Sequence, residues 1–124
     1  MPAYNFKAQF APLVESGDKR QTLRKPRKRL TRVGDVLKLY TGQRTKNCRL
    51  LREAICTRSR HVLIDRHITT QAWPTPYITI GGRVLTYYDA LDLAQKDGFY
   101  QLEDMMKFFD DTYGLPVELE LIEW

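Results

Sequence analysis

The chain has 124 residues, 43% of them hydrophobic and 28% charged, a size and composition that predict one folded domain, residues 1–124, and exclude a disordered chain. No apolar run reaches the roughly 18–20 residues of a membrane span. Residues 1–13 lack the basic-then-apolar order of a signal peptide, and two cysteines, Cys48 and Cys56, are too few for a disulfide framework. A cytoplasmic protein without membrane contact is expected, with both thiols as small buried hydrophobes. The net charge of +5 hides a split: residues 1–66 carry 17 basic and 5 acidic side chains, residues 67–124 carry 3 and 10. A concentrated basic half points to polyanions.

Tyr4, Phe6, Ala8 and Phe10 alternate with polar residues, predicting a half-buried strand over Tyr4 to Phe10. Ala11 to Gly17, with Pro12 near the start and glycine at the end, predicts a short helix. Gln21-Thr22-Leu23-Arg24 reads as a second strand ended by Pro26. A basic loop over 27–32 and turn chemistry at Val33-Gly34-Asp35 follow. Val36 to Tyr40 is a third strand, 41–47 a polar loop, and Cys48 to Ile64 one long bent strand or two. Residues 69–76, with Trp73-Pro74-Thr75-Pro76, read as loop or edge. Gly81-Gly82 between Tyr77–Ile80 and Arg83–Leu85 marks a hairpin. Thr86 opens a helix whose apolar face is Tyr87, Ala90, Leu91 and Ala94, stopped by Gly98. Leu102, Met105, Met106 and Phe109 give a second helix over 101–113, closed by Gly114. Residues 116–124 alternate as a last strand. Runs of strands with segregated helices predict α+β, and many short strands in a small chain favour a small barrel.

Neither His61 nor His67 falls in a Cys/His ligand spacing, so no metal is expected. No Walker-type, G-x-G-x-x-G or G-x-S-x-G segment is present, and no cofactor is expected. The strongest local feature is Gly17-Asp18-Lys19-Arg20-Gln21-Thr22-Leu23-Arg24. Thr22 and Arg24, two apart, share one strand face, and Lys19 stands where the helix hands over to that strand. Desolvated, such a lysine has a lowered pKa and can act as a base or hold developing negative charge. Solvated, the three are a surface lysine, a strand threonine and an exposed arginine. From Lys19 to Arg32 run eight cations with no acid between them: Lys19, Arg20, Arg24, Lys25, Arg27, Lys28, Arg29 and Arg32. Charges this dense repel unless an anion screens them, and a nucleic acid would bind there by counterion release. Trp73 is the aromatic best placed to stack on a base, worth about 1–3 kcal/mol. Asp97 ends a helix against the macrodipole, which points to a partner elsewhere, such as Lys19.

Taken together, Gly17-x-Lys19-x-x-Thr22-x-Arg24, Gly34-Asp35-Val36-Leu37 and Ala94-x-x-Asp97-Gly98-Phe99, behind an aromatic first strand, resemble the ASCH domain family, small β-barrels related to the PUA RNA-binding fold. The resemblance spans roughly Tyr4 to Ile122. It implies a PUA-like barrel carrying a short N-terminal helix and two later helices, with a cleft that takes RNA or a modified nucleoside or nucleotide. Some members are amidohydrolases of N4-acetylcytidine that use a lysine, a threonine and a glutamate. Lys19 and Thr22 match the first two, and Asp97 stands at the glutamate position, one methylene shorter. A displacement of about 1 Å can cost roughly 100-fold in rate. The expected site is thus Lys19, Thr22 and Asp97 for chemistry. Arg20, Arg24, Lys25, Arg27, Lys28, Arg29, Arg32 and Trp73 are expected to hold RNA or substrate. Binding of RNA or a modified nucleotide is the first reading. An amidohydrolase of N4-acetylcytidine-like nucleosides, or a ribonuclease, is the second, and an interaction module for an acidic protein the third.

Overall fold

The computed structural model describes residues 2–67 and 75–124. The chain runs β1 (Ala3–Phe6), α1 (Ala11–Ser16), β2 (Gln21–Arg24), β3 (Val36–Thr41), β4 (Arg49–Ile55), β5 (Arg58–His67), β6 (Thr75–Ile80), β7 (Arg83–Val84), α2 (Tyr87–Lys96), α3 (Leu102–Tyr113) and β8 (Val117–Glu123). The strands form two sheets. One has the order β1-β3-β4, with β1 parallel to β3 and β4 antiparallel to it. The other, β2-β8-β5-β6-β7, is antiparallel throughout.

The α+β composition is as expected, but the barrel is not: the described residues build two sheets and no closed barrel. Alternation along a strand decides which face is buried, not which strand lies alongside. Here β2 pairs with β8, and Pro26, which has no N–H to give a ladder, follows it. Residues 25–35 then carry the chain to the other sheet without strand structure. Of the two readings of Cys48 to Ile64, one long bent strand or two, the structure has the second, β4 and β5, and the break is where the chain changes sheets. Cys56 N–H donates to the Asp35 carbonyl at 2.8 Å, still beside β3, while Thr57 N–H donates to the Glu123 carbonyl at 2.9 Å, already beside β8.

Other expectations shift locally. β1 stops at Phe6, and Lys7 to Phe10 turn into α1, with Phe10 N–H on the Lys7 carbonyl at 2.9 Å. The alternation runs on past Phe6 because Phe10 is apolar for another reason: its ring packs edge-on against Phe99, centroids 5.4 Å apart. α2 starts as expected, the Thr86 hydroxyl accepting from Asp89 N–H at 3.2 Å. Its buried stripe is Ala90, Leu93 and Ala94, while Tyr87 is exposed. α3 buries the expected Leu102, Met105, Met106 and Phe109. β8 lies between β2 and β5 and is covered on both faces, so Glu120 and Ile122 are buried along with Val117, Leu119 and Leu121. Of the two thiols, Cys56 is buried and Cys48 is exposed, correcting the expectation for Cys48. Of the loop or edge expected over 69–76, Thr75 and Pro76 open β6, and residues 69–74 lie outside the described residues.

Candidate functional site

The segment between α1 and β2 sets the site. Gly17, at a φ of +88°, ends α1, and Lys19 N–H returns to the Leu13 carbonyl at 2.9 Å. This turns the Lys19 side chain inward, where 2% of the residue is exposed. Its ammonium reaches the end of α2. Nζ lies 3.0 Å from Asp97 Oδ1 and donates to the Asp97 carbonyl oxygen at 2.5 Å. A cation on the last carbonyl of a helix offsets the negative end of its dipole, so Lys19 answers both anomalies at once: the acid at the helix end and the unpaired carbonyl. Phe10 and Phe6 lie beside the ammonium, centroids 5.2 Å and 5.8 Å away.

Gln21 completes this knot. It is buried, and its Nε2 donates to Asp97 Oδ1 at 3.3 Å and to the Leu93 carbonyl at 3.2 Å. Gly98 follows Asp97 at a φ of +102°, and a Cβ there would come within 2.9 Å of Phe10 Cδ1. Both the left-handed backbone and the close ring favour glycine.

Burial acts on the two charged partners in the same sense. It lowers the pKa of Lys19, opposed by the attraction of Asp97, and it raises the pKa of Asp97, opposed by Lys19 and Gln21. The gap between the ion pair and the neutral pair is thereby narrowed, which is what a proton-moving lysine needs.

Thr22 and Arg24 point from β2 into the same space. Thr22 is buried, and its Oγ1 accepts from Arg24 Nε at 2.8 Å. Arg24 Nη2 donates to the Asn5 carbonyl at 2.6 Å, and the guanidinium lies 4.8 Å from the centroid of the Phe6 ring. A cavity of about 250 Å³ is lined by Lys19, Thr22, Arg24 and Asp97, with Phe6, Phe10, Phe109 and Tyr113 as its apolar walls. The four residues singled out by their spacing therefore meet in one cavity.

The rest of the basic run separates into three groups. Lys25 lies over Tyr113, centroid 5.1 Å away, beside the cavity. Arg27 lies over Tyr4 at 4.2 Å and donates to the Ala3 carbonyl. Lys28, Arg29 and Arg32 line a separate, open groove with Ser59. Arg20, between inward-facing Lys19 and Gln21, faces a third groove with Asp18, Arg58, Lys96 and Glu123, away from the other cations of the run. Trp73 lies outside the described residues.

Three contributors are missing from the sequence-based site. Gln21 was hidden as an ordinary strand residue, Lys7 as the polar face of the strand expected over Tyr4 to Phe10, and Tyr113 as the end of a helix. Tyr113 stands one helical turn after Phe109 and stacks with it, rings 11° apart with centroids at 6.3 Å, a spacing that was legible. Among the described residues no group of three or more His, Cys, Asp or Glu gathers to hold a metal, and no helix is long and apolar enough to cross a membrane. No protein-family model, curated protein or solved structure matches the chain.

Proposed function

We propose that this chain binds RNA or a modified nucleotide, with one nucleotide in the cavity and the strand on the basic loop that follows β2. The observation that carries this is the meeting of Lys19, Thr22, Arg24 and Asp97 in one cavity of about 250 Å³. Pockets for drug-sized ligands run from roughly 300 to 1,000 Å³, so this space suits a base or nucleoside and not a stretch of polymer. Its walls of phenylalanine and tyrosine suit a planar ring. Lys25 and Arg27 stand close by to meet phosphates. The order of motifs shared with the ASCH domain supports the same reading. The test is fluorescence titration of short RNAs at several salt concentrations. Affinity should fall steeply with salt, and Lys19→Met together with Asp97→Leu, which fills the pair with apolar side chains, should weaken binding. Salt-independent binding, or full affinity in that double variant, would remove the cavity from the interface.

One observation favours a second reading, an amidohydrolase of N4-acetylcytidine-like nucleosides. Asp97 is shorter than glutamate, yet its carboxylate stands 3.0 Å from Lys19 Nζ, because the end of α2 itself is brought to the lysine. In this reading neutral Lys19 takes the proton of Thr22 or of a water as that oxygen bonds to the acyl carbon. It returns the proton to the amine as the C–N bond breaks. Where Thr22 has attacked, a water then adds to the acyl-threonine, giving its proton to Lys19, which passes it to the Thr22 oxygen as the ester C–O bond breaks and the acid leaves. Thr22→Val removes the hydroxyl at nearly constant shape. Turnover lost with binding retained would support Thr22 as nucleophile, and unchanged turnover would exclude it.

A further inference from the structure

The buried and half-buried cations are held in two ways, by a carboxylate or, like Arg24 and Arg52, by neutral groups, Arg52 by the Glu15 carbonyl at 3.3 Å. Lys19, Lys38 and Arg60 are buried or half-buried, and each meets a carboxylate: Asp97 at 3.0 Å, Glu53 at 3.3 Å and Glu123 at 3.2 Å respectively. Arg24 is also half-buried, but the groups that hold it are neutral. They are the Thr22 hydroxyl, the Asn5 carbonyl and the rings of Phe6 and Tyr4. Lys7, which lines the same cavity, lies over the Phe108 ring with its centroid 4.7 Å away, and among the described residues it has no carboxylate within ion-pair distance. Asp97 is the one acid among the lining residues, and it is committed to Lys19.

Lys7, Lys19 and Arg24 thus share the cavity with a single carboxylate, leaving two positive charges without an opposite. Lys7 is exposed to solvent, whereas Arg24 is desolvated, and a desolvated charge without a partner is costly and seldom kept without a use for it. The guanidinium is a fork of five donors, of which Nε and one Nη2 hydrogen are engaged, leaving the others to face an oxyanion. A phosphate monoester carries about −1.5 to −2 at neutral pH, which matches the excess. A neutral nucleoside would leave the excess standing.

We infer that the cavity takes a phosphate monoester held by Arg24 and Lys7, so that its ligand is a nucleoside monophosphate, free or at the end of a strand, and not a neutral nucleoside. This rests on the nucleotide-binding reading above and adds the charge of the ligand to it. The apolar wall of Phe108, Phe109 and Tyr113 is left for the base.

Calorimetric titration of the full chain with the four ribonucleosides, their 5′-monophosphates and inorganic phosphate, at low salt, tests it. At least one monophosphate should bind about tenfold more tightly than its nucleoside, the scale of one added charge-assisted hydrogen bond. Arg24→Gln should remove that ratio, and Lys7→Gln, on an exposed side chain that lies over the Phe108 ring, should cut it about threefold. Oligonucleotides with a 5′-phosphate or a 5′-hydroxyl separate the sources. A gain from the terminal phosphate assigns the strand end, and a gain with free nucleotides alone assigns those. Nucleosides and monophosphates binding equally would overturn the inference and leave the nucleotide reading intact. Inorganic phosphate binding as tightly as every nucleotide, in an Arg24-dependent way, would overturn the nucleotide reading and keep the anion site. If Arg24→Gln does not fold, an unchanged ratio in Lys7→Gln overturns the inference on its own.

Discussion

The eight cations between Lys19 and Arg32 are contiguous in sequence and meet two different fates. Lys19 is buried at the end of α2 with a carboxylate and a carbonyl as partners. Lys28, Arg29 and Arg32 lie in the open, where among the described residues the one carboxylate at ion-pair distance is Asp35, 4.0 Å from Arg29. The same residue type therefore does different work a few positions apart. The buried lysine is part of the fold and sets the local proton affinity, whereas the exposed group contributes a field that salt can screen. The length of a charge run thus says little about its use, and the depth at which each member sits says more.

Breaking the buried pair should have the largest effect. Asp97→Ala leaves Lys19 with the carbonyl alone, and urea unfolding should show a loss of about 3–5 kcal/mol. Replacing both partners, by Lys19→Met with Asp97→Leu, should recover most of that loss, since a well-packed apolar pair avoids the desolvation of two charges. A double variant as unstable as Asp97→Ala would show that the pair is a net source of stability. Gln21→Leu comes next, at about 1–2 kcal/mol, because it removes two buried hydrogen bonds, one of them to a charged group, while Lys19 still meets Asp97 Oδ1 and Asp97 N–H still donates to the Leu93 carbonyl.

A smaller effect separates the two fates through pH. The folded-state pKa of Lys19 is below its ordinary 10.5 and that of Asp97 above its ordinary 3.8. Between the lowered Lys19 value and 10.5 the unfolded chain binds the more protons, so this lysine makes stability rise with pH there. Between 3.8 and the raised Asp97 value the folded chain binds the more protons, so stability contributed by this aspartate falls as pH rises. The stability difference between wild type and the Lys19→Met, Asp97→Leu variant should therefore favour wild type more towards both pH extremes than at neutrality. The opposite curvature in paired unfolding titrations would assign the pair to an ordinary salt bridge.

The smallest effect on the fold should come from the exposed group. Lys28→Gln, Arg29→Gln and Arg32→Gln together should move unfolding free energy little, each surface change staying within about 0.5 kcal/mol. RNA affinity should fall across sequences, with the log–log salt slope shrinking by about 0.7 for each single-strand phosphate that the variant no longer neutralises. An unchanged slope would take this loop out of the interface.

Much of this was legible in the residues. Asp97 stood out because a carboxylate at a helix end opposes the dipole, and the Lys19 ion pair resolves that conflict. Thr22 and Arg24 followed from the two-residue period of a strand. The division into two sheets in place of a barrel was not legible, because pairing between distant strands depends on where residues 25–35 lead the chain, and no local pattern encodes that. Arg20 was misplaced for a simpler reason: a run of charges hides the alternation that sends neighbouring side chains to opposite sides. Gln21 carries no signal of its own in the sequence, since a buried amide is marked only by the groups it meets after folding.

The loop between β2 and β3 is also pinned at its middle. Thr31 is buried there, and its hydroxyl bonds the hydroxyl of Tyr4 on β1. With Arg27 held on the Ala3 carbonyl and the Tyr4 ring, this anchor divides residues 25–35 into short spans, none of which can wander far. Much of the conformational entropy of the basic loop is therefore surrendered when the chain folds and not when a ligand arrives. A tethered loop of this kind meets its polyanion already in shape, so its cations act as a surface and not as a tail.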